Sequence, residues 1–529
     1  MNSVRKNIML SALSGTLLSI PFLIPHTGLI MLFAFVPLLW MEHLFTVNGR
    51  KGCWKYYALT FFLWNALTIS WISYITVIGG ILAVLANAFQ PFVIFAIFRR
   101  VKKWILKKGK PEIIAHVFLV ALWIAWEYFY FDAEITFPWL TLGNGFATNI
   151  RLVQWYEVTG TLGGSLWILL ANVFFYYGVK GAIKGWKLVV FPVVLCIPVV
   201  LSIVRFYTYK EPHAPVEVVL VQPNIDPVHE KFNSMSQAQQ DEAILGLARS
   251  GLTSNTKLVV APETCINEVF VGNFFAAPSM ESYKEFVTEN PQTAIIFGAT
   301  MYGFHPPSNH KPTIASRPYG SGWYEVFNSA IQLDTTDKVQ YYHKSKLVVG
   351  AEKMPYTGVF PFIEKLAPKF GGASGTLGTQ SERTVFTLEE QGVSTGVAIC
   401  FESVFGEFYT GYVKKGANLM AVITNDGWWG NTPGYRQHVS YASLRAIETR
   451  RSVAHCANTG ISALINQKGE RIVESGWWVP AVLRDTVNLN NKLTPYVRYG
   501  DWIGRIACWV LLFLSIYSLI CAFPSRKRG

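Results

Sequence analysis

Apolar runs of about twenty residues, enough to cross a hydrocarbon core, recur through the first part of the chain. They lie near 8–24, 28–45, 56–77, 79–98, 113–131, 161–179 and 187–207, and one more lies near 502–523. Several carry Pro or Gly, which membrane helices tolerate, and Pro91 is the clearest kink candidate. Between 210 and 495 the pattern shifts to short apolar runs of strand length bounded by turn residues. Three of these runs close on polar side chains: KLVVAPE at Glu263, STGVAIC at Cys400, and LMAVITND at Asn425 and Asp426. The pattern predicts a membrane α-helical bundle of about eight spans, with seven helices in 1–209, a polar domain over 210–495, and a last helix with a basic tail in 496–529.

Composition agrees with a membrane chain: 51% of residues are hydrophobic, 15% aromatic and only 15% charged. The formal charge of +13 raises nucleic-acid binding, but the positions of the cations argue against it. Arg5 and Lys6 precede the first run; Arg50, Lys51 and Lys55 follow the second; Arg99, Arg100, Lys102, Lys103, Lys107, Lys108 and Lys110 follow the fourth. Lys180, Lys184 and Lys187 follow the sixth, and Arg526, Lys527 and Arg528 end the chain. Every second connection is thus basic, so both termini are expected in the cytoplasm and the polar domain outside. Anionic lipid, not nucleic acid, is the expected partner of the excess charge. A cleaved signal peptide is the weaker reading of the first run, because Pro25 and a second run follow at once.

A thiol attacks a carbonyl as thiolate, so it needs a base, and the tetrahedral intermediate needs donors or positive charge at its oxygen. Glu263, Lys344 in YYHKSKL and Cys400 supply these three types. Taken singly each has a plainer reading, a buried core thiol or a solvated turn residue. Of the seven cysteines, Cys53, Cys196, Cys508 and Cys521 fall in or beside the apolar runs. Cys265, Cys400 and Cys456 remain in the polar domain, an odd number that leaves at least one free thiol in an oxidising compartment. Cys265 is the rival nucleophile but follows a turn-like PET, and a Cys265–Cys456 disulfide is not expected. On a strand Lys344 and Lys346 share a face, so alternation does not separate them, while His343 points the other way.

Together and in this order, the three strings over roughly 215–490 resemble the carbon-nitrogen hydrolase (nitrilase) superfamily. The resemblance implies an extracytoplasmic α+β domain of αββα sandwich type with a Glu-Lys-Cys triad. It selects Lys344 over Lys346 through a Lys-x-x-Leu string followed by Gly and Glu, matched by Lys344, Leu347, Gly350 and Glu352. Glu352 is then a further site carboxylate. Phe401 and Glu402 fall at the turn after the nucleophile, with the Phe401 N–H directed at the oxyanion. The chain departs from the family in Phe401, where Tyr is common, in VVGAEKMP and in Ala-Pro-Glu, changes that bear on pocket shape more than on chemistry. NDGWWG and RAIETRRSVAHCANTGIS also resemble family strings and read mainly as scaffold: an amphipathic helix over 435–451 and a strand over 452–457, with pairing to core carboxylates an equal reading of Arg450 and Arg451, which are not named as catalytic.

With its apolar runs included, the chain resembles the membrane-bound N-acyltransferases of that superfamily, found in the bacterial inner membrane. This implies a phospholipid acyl donor, a diacylglyceryl-modified lipoprotein acceptor, a monomer with a periplasmic catalytic domain, and no metal, nucleotide or other cofactor. The alternative enzyme is a membrane-tethered amidase that uses water. A transporter is disfavoured because the runs show few ionisable residues beyond Glu127. Trp428, Trp429, Trp477, Trp478 and FVGNFF read either as core or as a rim in the lipid interface, and FGGASGTLGTQ, 370–380, as a lid.

Overall fold

The computed structural model describes residues 3–306, 312–356 and 375–522. Positions 370–374 of the expected lid and the basic 526–528 tail lie outside the described residues. The chain divides into two compact units, Met1–Tyr207 with Tyr499–Gly529, and Thr208–Arg498.

The first unit is helical: α1 Ser3–Leu23, α2 Val36–Val47, α3 Trp54–Ile69, α4 Val77–Lys107, α5 Ile113–Tyr130, α6 Tyr156–Val179 and α7 Lys187–Thr208, with a C-terminal helix Trp502–Ala522. Among the described residues six segments are long and apolar enough to span a membrane; one of them joins a 3-10 turn to α2 over Gly28–Val47. The expected third span is not among the six. Helix α3 ends at Ile69 after 16 residues, about 24 Å of rise, and passes into a 3-10 turn, Ser70–Tyr74. Near this end Asn65 and Thr68 turn back to bond the carbonyls of Phe61 and Trp64. The C-terminal helix, Trp502–Ala522, runs for 21 residues.

Helix α4 runs through Pro91 as one element of 31 residues, roughly 46 Å by helical rise and longer than a hydrocarbon core of about 30 Å. Arg99, Arg100, Lys102, Lys103 and Lys107, expected in a loop, therefore lie on its C-terminal turns. In α6, Gly160 at φ 62° breaks the helical path, one residue before the span expected at 161. The sparse ionisable content expected of the spans needs correction, because Glu42 on α2 is fully buried and pairs with Arg99 and Lys102. Glu127 accepts from Trp123 Nε1 and the Leu142 N–H at 3.0 and 2.9 Å, binding a short 3-10 segment to α5.

The second unit holds two sheets. Its strands are β1 Pro215–Gln222, β2 Thr256–Val260, β3 Ile266–Phe270, β4 Ala294–His305, β5 Arg317–Tyr319, β6 Gly322–Leu333, β7 Gln340–His343, β8 Val385–Leu388, β9 Val393–Ile399, β10 Leu419–Thr424, β11 Val453–Ala457, β12 Ala463–Ile465, β13 Arg471–Glu474 and β14 Ala481–Asn488. One sheet runs β14-β1-β2-β4-β6-β5, with β3 on β4 and β7 on β6; the other runs β13-β12-β11-β10-β9-β8. Strands β1, β2 and β4 are mutually parallel, as are β9, β10 and β11. They are buried on both faces over most of their length, and β1, β2 and β10 read as nearly unbroken apolar runs. The sheets face each other through β11: Cys456 Sγ donates to the carbonyls of Val221 and Val260, both at 3.2 Å.

Helices α8 Gln237–Gly251 and α9 Pro278–Glu289 cover the first sheet through Ile244, Leu245, Tyr283 and Phe286. Helices α10 Gly406–Lys414 and α11 Pro433–Thr449 cover the second, and α12 Pro495–Tyr499 follows β14. This αββα order places the ends of β2, β9 and β10 together. Helix α11 is buried almost all round, from Gly434 to Thr449 with only Arg436 exposed, so the expected amphipathic face does not exist. Arg450, at φ 49°, ends that helix. Arg450 donates to the Gln467 carbonyl, and Arg451 to those of Ala417 and Lys492.

Candidate active site

Glu263 lies three residues beyond β2, in a turn that Thr264 completes at φ 54°. Gly298 on β4 passes directly beneath: a Cβ there would stand 2.7 Å from the Glu263 Cα and 2.3 Å from the Thr264 nitrogen. Its backbone also pairs with Pro262 and Cys265, at 2.9 and 2.7 Å. The absence of a side chain at 298 is thus what lets the turn sit on the sheet. A second support is Lys231, buried, whose ammonium donates to the Glu263 carbonyl at 3.1 Å.

The Glu263 carboxylate is itself buried and has three donors. Oε1 accepts from Asn328 Nδ2 at 2.7 Å and from Lys344 Nζ at 3.3 Å; Oε2 accepts from the Asn425 N–H at 3.1 Å. Lys344 follows β7 and donates also to Glu352 Oε1 at 2.8 Å. Asn328, on β6, donates to the same Glu352 oxygen at 2.8 Å and accepts the Lys344 N–H on its backbone carbonyl at 2.8 Å. The Val348 N–H fixes the other Glu352 oxygen. Two carboxylates therefore clamp one ammonium that is 1% exposed. Burial would lower the Lys344 pKa, but Glu352 and Glu263 outweigh it and raise it, so the cation is permanent.

The geometry separates the two lysines that alternation left together. Lys346 instead lies 5.2 Å from the Phe405 ring centroid, and His343 turns away to Ser329 at 2.7 Å. Cys400 ends β9 at φ 52°, a left-handed conformation that is costly for a residue with a Cβ and is typical of functional sites. It opens a 3-10 turn, Cys400–Val404, which includes Phe401 and Glu402. Phe401 packs edge-on to Phe405 at 5.0 Å.

Glu402, fully buried, does not point at the triad. Its Oε1 accepts from Tyr342 OH, the Ser345 N–H and the Lys346 N–H, at 2.7, 2.6 and 3.2 Å. Its Oε2 accepts from the Ile399 N–H and Tyr412 OH at 2.8 and 3.3 Å. It ties the segment carrying Lys344 to the strand end carrying Cys400. Below the cysteine, His438 bonds the Cys400 carbonyl at 3.1 Å and Asp426 at 3.0 Å. Lys231, Asn328 and His438 were absent from the sequence reading because no string marks them: Asn328 and His438 sit inside an ordinary strand and helix, and Lys231 in a short π-helical turn.

Burial, then the Glu263 carboxylate, push the Cys400 thiol well above its ordinary range, with Lys344 pulling the other way. The resting group is therefore a neutral thiol whose thiolate fraction grows as pH rises. Iodoacetamide at pH 7 is expected to label Cys400 at least about tenfold more slowly than a small free thiol, with the rate climbing beyond pH 9. Mass-mapped labelling measures it, and fast labelling that is flat with pH would refute the neutral-thiol state. Cys265 is a weaker candidate: buried, its pKa up to about 12 through burial, with its thiol donating to the Pro262 carbonyl at 3.1 Å. Cys265 and Cys456 are both free.

Of the four tryptophans read as core or as rim, Trp429 is buried, while Trp428, Trp477 and Trp478 are half-buried. Trp429 is buried against His438, Trp428 stacks on Phe232 at 6.3 Å, and Trp477 stacks on Tyr435 at 5.5 Å. In FVGNFF only Phe275 is exposed among the phenylalanines.

Comparison with known proteins agrees with this architecture. Residues 217–491 match the carbon-nitrogen hydrolase family, and residues 14–174 match the apolipoprotein N-acyltransferase N-terminal domain. The chain is 29% identical to apolipoprotein N-acyltransferase of Chlorobaculum tepidum over 541 residues, covering 99% of this chain and 97% of that one. It is 28% identical to the Thermotoga maritima protein of the same name, covering 99% and 94%. Among solved structures, an amidase from Nesterenkonia sp. covers 56% of this chain and 99% of its own at 14% identity, with a TM-score of 0.35. With the catalytic unit matched across 217–491 and the helical unit across 14–174, this membrane protein belongs to the carbon-nitrogen hydrolase family, as an acyltransferase of its apolipoprotein N-acyltransferase branch.

Proposed function

We propose that this enzyme moves a fatty acyl chain from a membrane phospholipid to the N-terminal amine of diacylglyceryl-cysteine on apolipoproteins, in two steps through a thioester on Cys400. Glu263 takes the Sγ proton as sulfur attacks the ester carbonyl. Lys344 and backbone N–H groups at the Cys400–Phe401 turn hold the oxyanion. The carbon–oxygen bond breaks, the proton passes from Glu263 to the leaving alkoxide, and a lysophospholipid departs. The lipoprotein amine then attacks the thioester, Glu263 accepts its proton, and collapse returns the proton to the Cys400 thiolate. Glu352 holds Lys344 in place, and Glu402 sets the separation of the two strand ends.

The observation that carries this reading is the cluster of buried Glu263 and Lys344 with half-buried Glu352, whose Glu263 and Lys344 charges act on the Cys400 thiol, in a chain whose helical unit matches the N-terminal domain of apolipoprotein N-acyltransferases. The alternation of basic and charge-poor connections supports a periplasmic catalytic unit with both termini in the cytoplasm. The test is intact-mass spectrometry of protein incubated with phospholipid. Wild type and Cys265→Ala should each gain one acyl mass, and an added diacylated lipopeptide should remove it as N-acylated product. No acyl gain, or discharge only to water, would overturn the transferase reading.

A further inference from the structure

The helical unit contains a cavity lined by none of the residues assigned to acyl transfer. This cavity, of about 530 Å³, opens between the N-terminal turns of α3 and the C-terminal half of α4. Its floor is apolar, formed by Cys53 and by Tyr57, which is fully buried. Its wall is the α4 stripe Val93, Ala96 and Ile97, spaced three and four apart and so on one helical face. Its rim carries Lys51 from the α2–α3 connection and Arg99, Arg100 and Lys103 from the next turns of α4.

These cations divide into two kinds. Arg99 is already engaged, with Glu42 Oε1 at 3.1 Å and the Arg50 carbonyl at 3.0 Å. Its neighbour Lys102 is buried between Glu42 and Glu112. Lys51, Arg100 and Lys103 are exposed and have no hydrogen bond or ion pair among the described residues. The two carboxylates that approach this end of α4, Glu42 and Glu112, are both taken up by Arg99, Lys102 and Lys180. Among the described residues no further acid pairs with the rim cations.

We propose that this cavity binds a phospholipid of net negative headgroup charge. Its phosphate sits among Lys51, Arg100 and Lys103, and the start of one acyl chain lies along Val93, Ala96 and Ile97. Unspent cations at a helix end attract an anionic headgroup, while the apolar wall favours a molecule that brings hydrocarbon with its charge. A zwitterionic headgroup fits less well, because its ammonium would face the same cations. The site contains no member of the triad or of the groups bonded to it, so it holds a lipid that anchors the helices rather than one that reacts.

Native mass spectrometry of the delipidated full chain, titrated with phosphatidylglycerol or phosphatidylethanolamine, tests the proposal. One phosphatidylglycerol is expected to bind at least about tenfold more tightly than phosphatidylethanolamine. The triple variant Lys51→Gln, Arg100→Gln, Lys103→Gln should lose that preference, and Ala96→Trp, which fills the cavity without touching a charge, should lose the tight phosphatidylglycerol. Loading of Cys400 with acyl groups from phosphatidylethanolamine in detergent should stay within twofold of wild type in both variants, reporting an intact fold. An unchanged preference in either loading-competent variant, or no preference in wild type, overturns the proposal. Displacement of the lipid by millimolar glycerol phosphate would also overturn it, showing a phosphate site rather than a lipid site. If one variant fails to load, the other decides; if both fail, equal affinity of wild type for the two lipids remains the overturning result.

Discussion

Glu263→Gln is expected to lower the rate at which Cys400 takes up an acyl group by about a thousandfold, within the range typical of a lost general base, and Cys400→Ala to abolish uptake. The glutamine is close to isosteric and keeps an oxygen for Asn328 or Asn425, so the turn over Gly298 should survive. In the proposed mechanism what disappears is the group that accepts the Sγ proton, and because burial raises the pKa of that thiol, Cys400 would supply little thiolate of its own near pH 7. Raising the pH should therefore recover part of the lost rate in Glu263→Gln, since direct ionisation replaces the missing base. Single-turnover loading of phospholipid acyl groups, followed by intact mass between pH 6 and 10, gives both readings. A variant that loads within tenfold of wild type at pH 7 would remove Glu263 from the role of base.

Glu402→Ala should be the most destabilising of the site substitutions. Three backbone N–H groups and two tyrosine hydroxyls converge on this carboxylate. Each buried donor left unpaired costs about 1–3 kcal/mol. With partial rescue by entering water, at least about 4 kcal/mol is expected, the upper end of what one substitution does. The melting midpoint of the catalytic unit should fall by more than about 5 °C. Activity should fall further than the folded fraction, because the same carboxylate spaces the Lys344 segment from the end of β9. Glu402→Gln should be intermediate, since one side of the amide would present N–H groups to donors. A midpoint within about 2 °C of wild type in Glu402→Ala would refute the tether.

Much of this architecture was legible because it is local. The length of an apolar run decides whether it crosses a membrane, and the alternation of basic connections needs only the order of residues. The strands ending at Glu263, Cys400 and Asn425 were visible as short apolar runs bounded by turn chemistry, and their sites fall where parallel strands end. The misreadings are also physical. Only part of the third apolar run is α-helical: α3 stops at Ile69 and a 3-10 turn carries the run on to Tyr74. The cations after 98 look like a loop, although nothing in them breaks a helix that still has carbonyls to satisfy. Polar residues on α11 suggested a wet face, but His438, Arg445 and Glu448 find partners inside the protein.

By itself the sequence determined the division into apolar spans and a strand-rich domain, and the placement of a carboxylate and a thiol at strand ends, since both follow from period and run length. Only the tertiary structure decided which lysine serves them. Lys344 meets Glu263 across 81 positions of chain and Glu352 across eight, while Lys346, with the same parity, meets an aromatic ring. It also decided that Glu402 is a tether and that Asn328 joins two carboxylates, because burial and pairing between distant segments leave no mark on either segment alone.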